Sequence, residues 1–213
     1  MAAMTKFVIL LGGPITATPR LLAQVKDARV LAADGGMAHA KALQLLPELW
    51  LGDFDSASKK LQKDYAHVPR LEFPVEKDAT DGELAISHAL KEGAEDLLLV
   101  GGFGGQFDHA LAHASFLLAM GKRGIKAVMT SGTEEAQALY GDVSLVDLKA
   151  GTRISVVPLS DLVALSITGV KWPLTNRNVP LGSALTLSNV AMGPVELSLR
   201  AGQALIITYP EQK

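Results

Sequence analysis

The 213-residue sequence contains no cysteine, which excludes disulfides, thiolate metal sites and a thiol nucleophile and fits a reducing compartment. An excess of charge of either sign is also missing: 20 lysines and arginines nearly balance 22 aspartates and glutamates, for a formal net charge of -2. No bulk positive field argues for nucleic acid or an anionic membrane surface, so an anionic substrate must be handled by local groups. Long apolar runs are absent. The run at 7–11 is too short for a membrane span or a secretory core, and Gly12-Gly13-Pro14 interrupts it at once. These absences lead us to expect a soluble, cytoplasmic protein with no nucleic-acid or membrane partner.

Several motifs are missing too. Nothing spells GxxxxGK[ST], which disfavours a P-loop kinase, and no GxSxG elbow or other nucleophile signature appears, which disfavours hydrolysis through a covalent intermediate. A dinucleotide fingerprint started at Gly102 finds Gly104 but then Phe107 where glycine is required. His39, His67, His88, His109 and His113 show no paired zinc-ligand motif. His109 and His113 are four apart but lack the glutamate of HExxH, which leaves packing or hydrogen bonding as the reading of His113.

Apolar residues make up 48% of the chain, enough to bury a core in one large domain or two small ones. Short apolar runs at 7–11, 29–33, 48–51, 70–73, 96–100 and 125–130 alternate with helical patterns near 19–25, 37–46, 57–66, 81–91 and 107–120. That order is the signature of a doubly wound, Rossmann-like α/β domain around a parallel sheet. After about Gly132, apolar and polar residues alternate at 152–157, 162–168, 184–188, 195–199 and 204–208, punctuated by Gly151, Gly169, Pro173, Gly182, Gly193-Pro194 and Gly202. Short alternating strands with regular turns predict an antiparallel β-sandwich. The expected domains are 1–132 and 133–213.

Acidic residues directly follow several of the predicted strands. Asp34-Gly35-Gly36 follows the second, Gly52-Asp53-Phe54-Asp55-Ser56 the third, and Asp78-Ala79-Thr80-Asp81-Gly82-Glu83 leads from the fourth into a helix. All three loops fall on the edge at which open α/β sheets bind ligands. Converging carboxylates repel, and a hard cation such as magnesium relieves the repulsion. An isolated Asp53 and Asp55 would read as capping or turn residues before Ala57, whereas three acidic loops in register favour a site. Thr80 with Glu83 is a capping box, and acids at a helix start also favour the dipole; position on the shared edge is what draws Asp81 into the site. The fifth strand runs into Gly101-Gly102-Phe103-Gly104-Gly105-Gln106-Phe107-Asp108-His109, where backbone N–H groups can approach a phosphate, though such loops also serve as tight turns.

Taken in order, Ala33-Asp34-Gly35-Gly36, Gly52-Asp53-Phe54-Asp55-Ser56, Glu76-Lys77-Asp78-Ala79-Thr80-Asp81-Gly82-Glu83 and Gly104-Gly105-Gln106-Phe107-Asp108-His109 resemble the signature of thiamine pyrophosphokinases. Gly169-Val170-Lys171-Trp172-Pro173-Leu174 and Leu187-Ser188-Asn189 extend the resemblance into the β-rich half. The resemblance implies transfer of diphosphate from ATP to thiamine with Mg2+, in a homodimer with active sites between subunits. By matching positions it implies Asp53, Asp55 and Asp81 as catalytic metal ligands. Asp34, Gly35, Lys77, Asp78, Thr80, Gly104, Gly105, Gln106 and His109 become nucleotide contacts, and Asp108, Ser188 and Asn189 thiamine contacts. One departure stands out: where the family commonly has arginine before the aspartate-histidine pair, this chain has uncharged Gln106, so if that arginine steadies the phosphates, either another cation such as Lys77, Arg20 or a second magnesium takes over or turnover is slower. Trp172 could stack on an aromatic ring, but a lone tryptophan in a β-domain is more often core, and it is assigned no ligand. The rival readings are a diphosphokinase for another small alcohol, such as a pterin, and a nonenzymatic nucleotide or thiamine-diphosphate sensor.

Overall fold

Strands that run apolar from end to end suit a parallel sheet covered on both faces. The first half of the chain supplies them. The computed structural model describes residues 5–74, 76, 78–141 and 144–210, and forms β1 (Lys6–Leu10), β2 (Arg29–Ala33), β3 (Leu49–Gly52), β4 (Arg70–Glu72) and β5 (Asp96–Val100). β1 pairs in parallel with β2 and β5, β2 with β3, and β3 with β4, giving the order β5-β1-β2-β3-β4. β5 is buried along its whole length, as are the last four residues of β1.

The helices begin where local chemistry says they should. α1 (Pro19–Gln24) opens with Thr18 as N-cap and proline in its first turn, and α2 (Lys59–Asp64) is capped by Ser58. α3 (Asp81–Lys91) is capped by Thr80, whose hydroxyl accepts the Glu83 N–H at 3.2 Å, and packs on β1, β2 and β3 through a face that includes Ala85, Ile86 and Ala89. α4 (Phe107–Lys122) follows the glycine-rich loop and leads to β6 (Lys126–Thr130).

One expected helix does not form. In place of a helix over 37–46 the chain makes a 3₁₀-helix at Asp34–His39, followed by turns. Asp34 and Gln44 hold left-handed φ values of 39° and 56°, and Gly36 lies so close to the Leu10 carbonyl that an added Cβ would sit 2.2 Å from it. Tight packing of this segment on the end of β1 overrides its apolar spacing.

By compactness the chain divides into two units, one of residues 1–110 with 129–132, the other of 111–128 with 133–213. The second is antiparallel: β7 (Glu135–Leu139), β8 (Ser144–Val146), β9 (Arg153–Pro158), β10 (Leu162–Val170), β11 (Leu174–Val179), β12 (Asn189–Ser198) and β13 (Ala204–Tyr209). β13 pairs with β7 and β9 in one layer, and β10 pairs with β11 and β12 in the other. β12 touches β9 only through Asn189 and Val190, then continues beside β10 and β8, so it passes from one layer to the other. Val156 and Ile206 from the first layer share one core with Leu165, Ile167, Val195 and Leu197 from the second, which makes this unit a sandwich.

The alternating pattern at 184–188 forms turns instead of a strand, because Thr186 spends its hydroxyl on the Val156 carbonyl and Ser188 takes a left-handed φ of 58°. β7, β8 and β11 were not expected; β11 is a polar edge strand whose middle four residues are exposed and carry no apolar period. Leu197 is fully buried in the shared core, so Leu197→Ala should cost about 3 kcal/mol of stability, read as a lowered urea midpoint with the m-value unchanged.

Candidate active site

Three of the strand-end acids meet. Asp34, Asp53 and Asp81 each offer a carboxylate oxygen, and these atoms lie within 4.8 Å of one another. Each is delivered by a different device. Asp34 opens the 3₁₀-helix after β2, held there by the indole N–H of buried Trp50, which donates to the Asp34 carbonyl at 2.8 Å. Asp53 follows β3 and accepts the Asp55 N–H at 3.2 Å, so the turn-forming role open to it from sequence coexists with its place in the cluster. Asp81 is the first residue of α3. Gly52 makes the approach possible: a Cβ there would stand 3.1 Å from the Asp34 Cβ and 3.3 Å from the Asp81 Cγ. Phe54, buried with a left-handed φ of 63°, pins the loop by packing edge-on against Trp50 at 4.9 Å between ring centroids. The Arg70 guanidinium stacks over both rings, at 4.9 Å and 5.0 Å.

The third member of the cluster is thus Asp34, the residue expected to contact nucleotide, whereas Asp55, expected as a metal ligand, stays exposed outside it. The Asp55 side chain accepts from the Ser56 hydroxyl at 3.0 Å, and its charge still reaches Asp34. Burial pushes the Asp34 carboxyl above its ordinary pKa, with Asp81 and Asp55 adding to the rise and hydrogen bonds from Ser56 and Gly35 opposing it. One Asp34 oxygen, Oδ1, is buried with no hydrogen-bond partner among the described residues. An all-oxygen donor set, a buried carboxylate oxygen left over and three acids in reach of one another fit a hard divalent cation.

The other expected contacts are distributed as follows. Asp78 is exposed just before the Thr80 cap, while Lys77 lies outside the described residues. Gly104 and Gly105 are exposed and left-handed, at φ 72° and 70°. The Gln106 carbonyl accepts the Ala110 N–H at 3.1 Å, starting α4, and its side chain is exposed. Asp108 Oδ1 accepts the N–H of exposed His109 at 2.9 Å. In the second unit, Ser188 is exposed, with its N–H donating to Ser155 Oγ at 2.9 Å. Asn189 is buried and gives both amide atoms to the Trp172 backbone: Oδ1 accepts its N–H at 3.1 Å and Nδ2 donates to its carbonyl at 2.8 Å. Trp172 is therefore not core. The residue is 55% exposed, with its backbone held by this clamp and the Lys171 ammonium 4.7 Å from the ring centroid. Sequence reasoning missed the support given by Trp50 and Arg70, since a lone tryptophan in an apolar strand carries no sign of which carbonyl it will meet.

Parallel strands ending in three clustered carboxylates, in a chain whose second unit is an antiparallel sandwich, define the class: an α/β protein with a strand-end acidic site suited to a hard cation. Comparison with known proteins narrows this. Residues 21–129 match the family described as thiamin pyrophosphokinase, catalytic domain, and residues 144–203 the thiamin pyrophosphokinase vitamin B1 binding domain. The chain is 30% identical over 186 residues to the thiamine pyrophosphokinase of Bacillus subtilis (strain 168), covering 85% of this chain and 87% of the relative. It superposes on a crystal structure of a Bacillus subtilis thiamine pyrophosphokinase with a TM-score of 0.87 at 25% identity, over 98% of this chain and 100% of that one. The thiamin pyrophosphokinase of Candida albicans shares the fold at a TM-score of 0.80 and 16% identity, over 98% and 90% of the two chains. The chain belongs to the thiamine pyrophosphokinase family of enzymes.

The raised Asp34 pKa yields a stability prediction with a definite sign. A carboxyl whose folded pKa lies above its unfolded value costs stability as pH rises through the folded pKa. Asp34→Asn should therefore raise the melting temperature of the metal-free protein at about pH 7, and the gain should shrink toward about pH 4, where Asp34 is itself protonated. Calorimetry of both proteins across that range checks it.

Proposed function

We propose that this enzyme transfers the diphosphate of Mg-ATP to thiamine, releasing thiamine diphosphate and AMP. The observation that carries the proposal is the meeting of Asp34, Asp53 and Asp81 at the ligand-binding edge of the parallel sheet, in a chain of this family. In the reaction, the hydroxyl oxygen of thiamine bonds to the β-phosphorus as the bond from that phosphorus to the α,β-bridging oxygen breaks. AMP leaves with the bridging oxygen, and an edge carboxylate takes the alcohol proton.

Chemistry of this kind needs positioning and charge neutralisation more than covalent help. Asp34, Asp53 and Asp81 would hold magnesium, which when bound neutralises charge on the phosphate oxygens. Asp55 adds negative potential beside them from its exposed place in the same loop. Thr80 fixes the start of α3 and with it Asp81. The left-handed Gly104 and Gly105 let the backbone before α4 turn its N–H groups toward an anion, with Asp78 and His109 at the rim and Asp108 kept for the thiamine side. Lys77 is the cation we assign to the phosphates in place of the missing family arginine.

For the acceptor, the exposed Trp172 ring offers a flat face on which an aromatic heterocycle can stack, and Asn189 acts by holding it there. Ser188, exposed and left-handed, sits beside Asn189 in sequence and is the polar contact on the thiamine side. We assign residues 1–132 to nucleotide binding and 133–213 to thiamine binding and dimer formation, in a cytoplasmic homodimer.

Asp53→Ala and Asp81→Ala should each lower AMP formation by at least about a thousandfold while leaving the circular dichroism of the fold intact. Incubation of the wild type with Mg-ATP and either thiamine or a hydroxymethylpterin, with products identified by mass, tests the reaction. AMP with the pterin alone would reassign the acceptor, and nucleotide binding without AMP from either would leave a sensor. Trp172→Ala should raise KM for thiamine about tenfold with KM for ATP unchanged; an unchanged thiamine KM would remove the stacking role.

A further inference from the structure

β1 has β2 on one side and β5 on the other. The chain winds outward from β1 through β2 and β3 to β4 and places β5 on the opposite flank, so the crevice between the loops leaving β1 and β5 is the switch point of the sheet, where open α/β sheets take ligands. The β5 loop is the glycine-rich segment. The loop leaving β1, Leu11-Gly12-Gly13-Pro14, has no part in the reaction as set out above.

Backbone contacts fuse these two loops. The Leu11 N–H donates to the Val100 carbonyl at 2.7 Å and the Gly13 N–H to the Gly101 carbonyl at 2.9 Å. A Cβ on Gly13 would stand 2.3 Å from the Phe103 carbonyl oxygen and 2.4 Å from that of Gly101, so no other residue fits. On the opposite flank lies the 3₁₀-helix Asp34–His39. Its last residue, His39, reaches back with Nε2–H donating to the Gly13 carbonyl at 2.9 Å, and the Leu11 carbonyl faces the same ring. Burial lowers the His39 pKa more than these carbonyls raise it, which keeps the imidazole neutral.

Peptide geometry converts this clamp into a donor. In a trans peptide the carbonyl and the following N–H point in opposite directions. Leu11 and Gly13 spend their N–H groups on Val100 and Gly101, whereas the Gly12 N–H has no backbone partner among the described residues and, opposite a Leu11 carbonyl that faces His39, points away from that ring. Gly12 is exposed, and a Cβ built on it would meet nothing within 4 Å. The same short helix carries Asp34 at its other end, so one turn of chain sets both a clustered carboxylate and this loop.

We propose that residues 11–14 form a second wall of the polyphosphate site, with the Gly12 N–H as an anion donor, and that His39 is the positioning residue that holds this wall. The ligand class is a nucleoside polyphosphate, so the proposal rests on the nucleotide half of the reading above. It also gives a neutral backbone group part of a task for which Gln106 offers no charge.

The test compares wild type with His39→Leu, His39→Gln and Gly12→Ala. Leucine fills the space without a donor, glutamine keeps one, and alanine at 12 keeps the N–H and the backbone conformation but puts a methyl into the open space that the phosphate would take. Three quantities are read: the affinity for ADP with magnesium by calorimetry, KM for ATP and KM for thiamine. His39→Leu and Gly12→Ala should weaken ADP binding and raise KM for ATP about tenfold with KM for thiamine within about twofold, and His39→Gln should stay within about threefold of wild type. Equal changes in both KM values, a fall in kcat alone, or wild-type ADP affinity in Gly12→Ala overturns the proposal. Should His39→Leu fail to fold, Gly12→Ala decides alone. If the wild type binds ADP but makes no AMP from thiamine, the proposed reaction fails while the ADP comparison still judges the loop.

Discussion

Mutual repulsion among Asp34, Asp53 and Asp81 is the interaction around which the first unit is built. Three carboxylates with oxygens within 4.8 Å of one another oppose folding unless something holds them, and the structure spends several features on doing so. Trp50 donates to the Asp34 carbonyl, Thr80 caps the helix that begins with Asp81, and Gly52 gives up a side chain so that the acids can approach. Two non-glycine residues of the same edge, Asp34 and Phe54, sit in the left-handed region. Backbone conformations of that kind cost free energy and persist where the surroundings over-determine them, which is common where a ligand later repays the cost. The buried, unpartnered Asp34 Oδ1 belongs to the same pattern.

Much of this was legible in the sequence, and for physical reasons. Parallel strands buried on both faces leave short apolar runs, and β2 and β5 fell where those runs predicted. Thr80 and Glu83 marked the start of α3 because capping is a local interaction. Acids directly after strands identified the edge, since strand direction alone decides on which side of a parallel sheet a loop emerges. Local pattern could not say which acids would touch. Asp53 and Asp55 are equivalent in spacing, yet only Asp53 turns inward, because Phe54 between them is buried against Trp50 under Arg70, a contact between β3 and β4.

The less legible parts share a cause in contacts distant along the chain. Apolar spacing over 37–46 suggested a helix, but the approach of Gly36 to the Leu10 carbonyl demands a tighter turn. The segment 184–188 alternates like a strand, but Thr186 bonds to Val156, 30 residues away. Trp172 looked like core because tryptophan in a β-rich segment usually is; the deciding interaction, with Asn189, spans 17 residues. The same bond reinterprets Asn189, whose Oδ1 accepts from the Trp172 and Val190 N–H groups while its Nδ2 donates to the Trp172 carbonyl.

Electrostatics joins the site to the composition of the whole chain. A net charge of -2 supplies no general attraction for ATP, and the acidic edge by itself repels it. On the proposed reading, phosphate therefore arrives only together with a cation that the carboxylates prefer to bare anion, and backbone N–H groups, which carry no net charge, complete the cradle without cancelling the field that holds the cation. Thiamine is itself cationic, so the same acids favour its approach. An arginine at position 106 would strengthen the grip on phosphate but weaken both effects. With Gln106 in its place the balance shifts toward the cation and toward neutral donors, which is the setting in which a loop aligned by an uncharged His39 matters most.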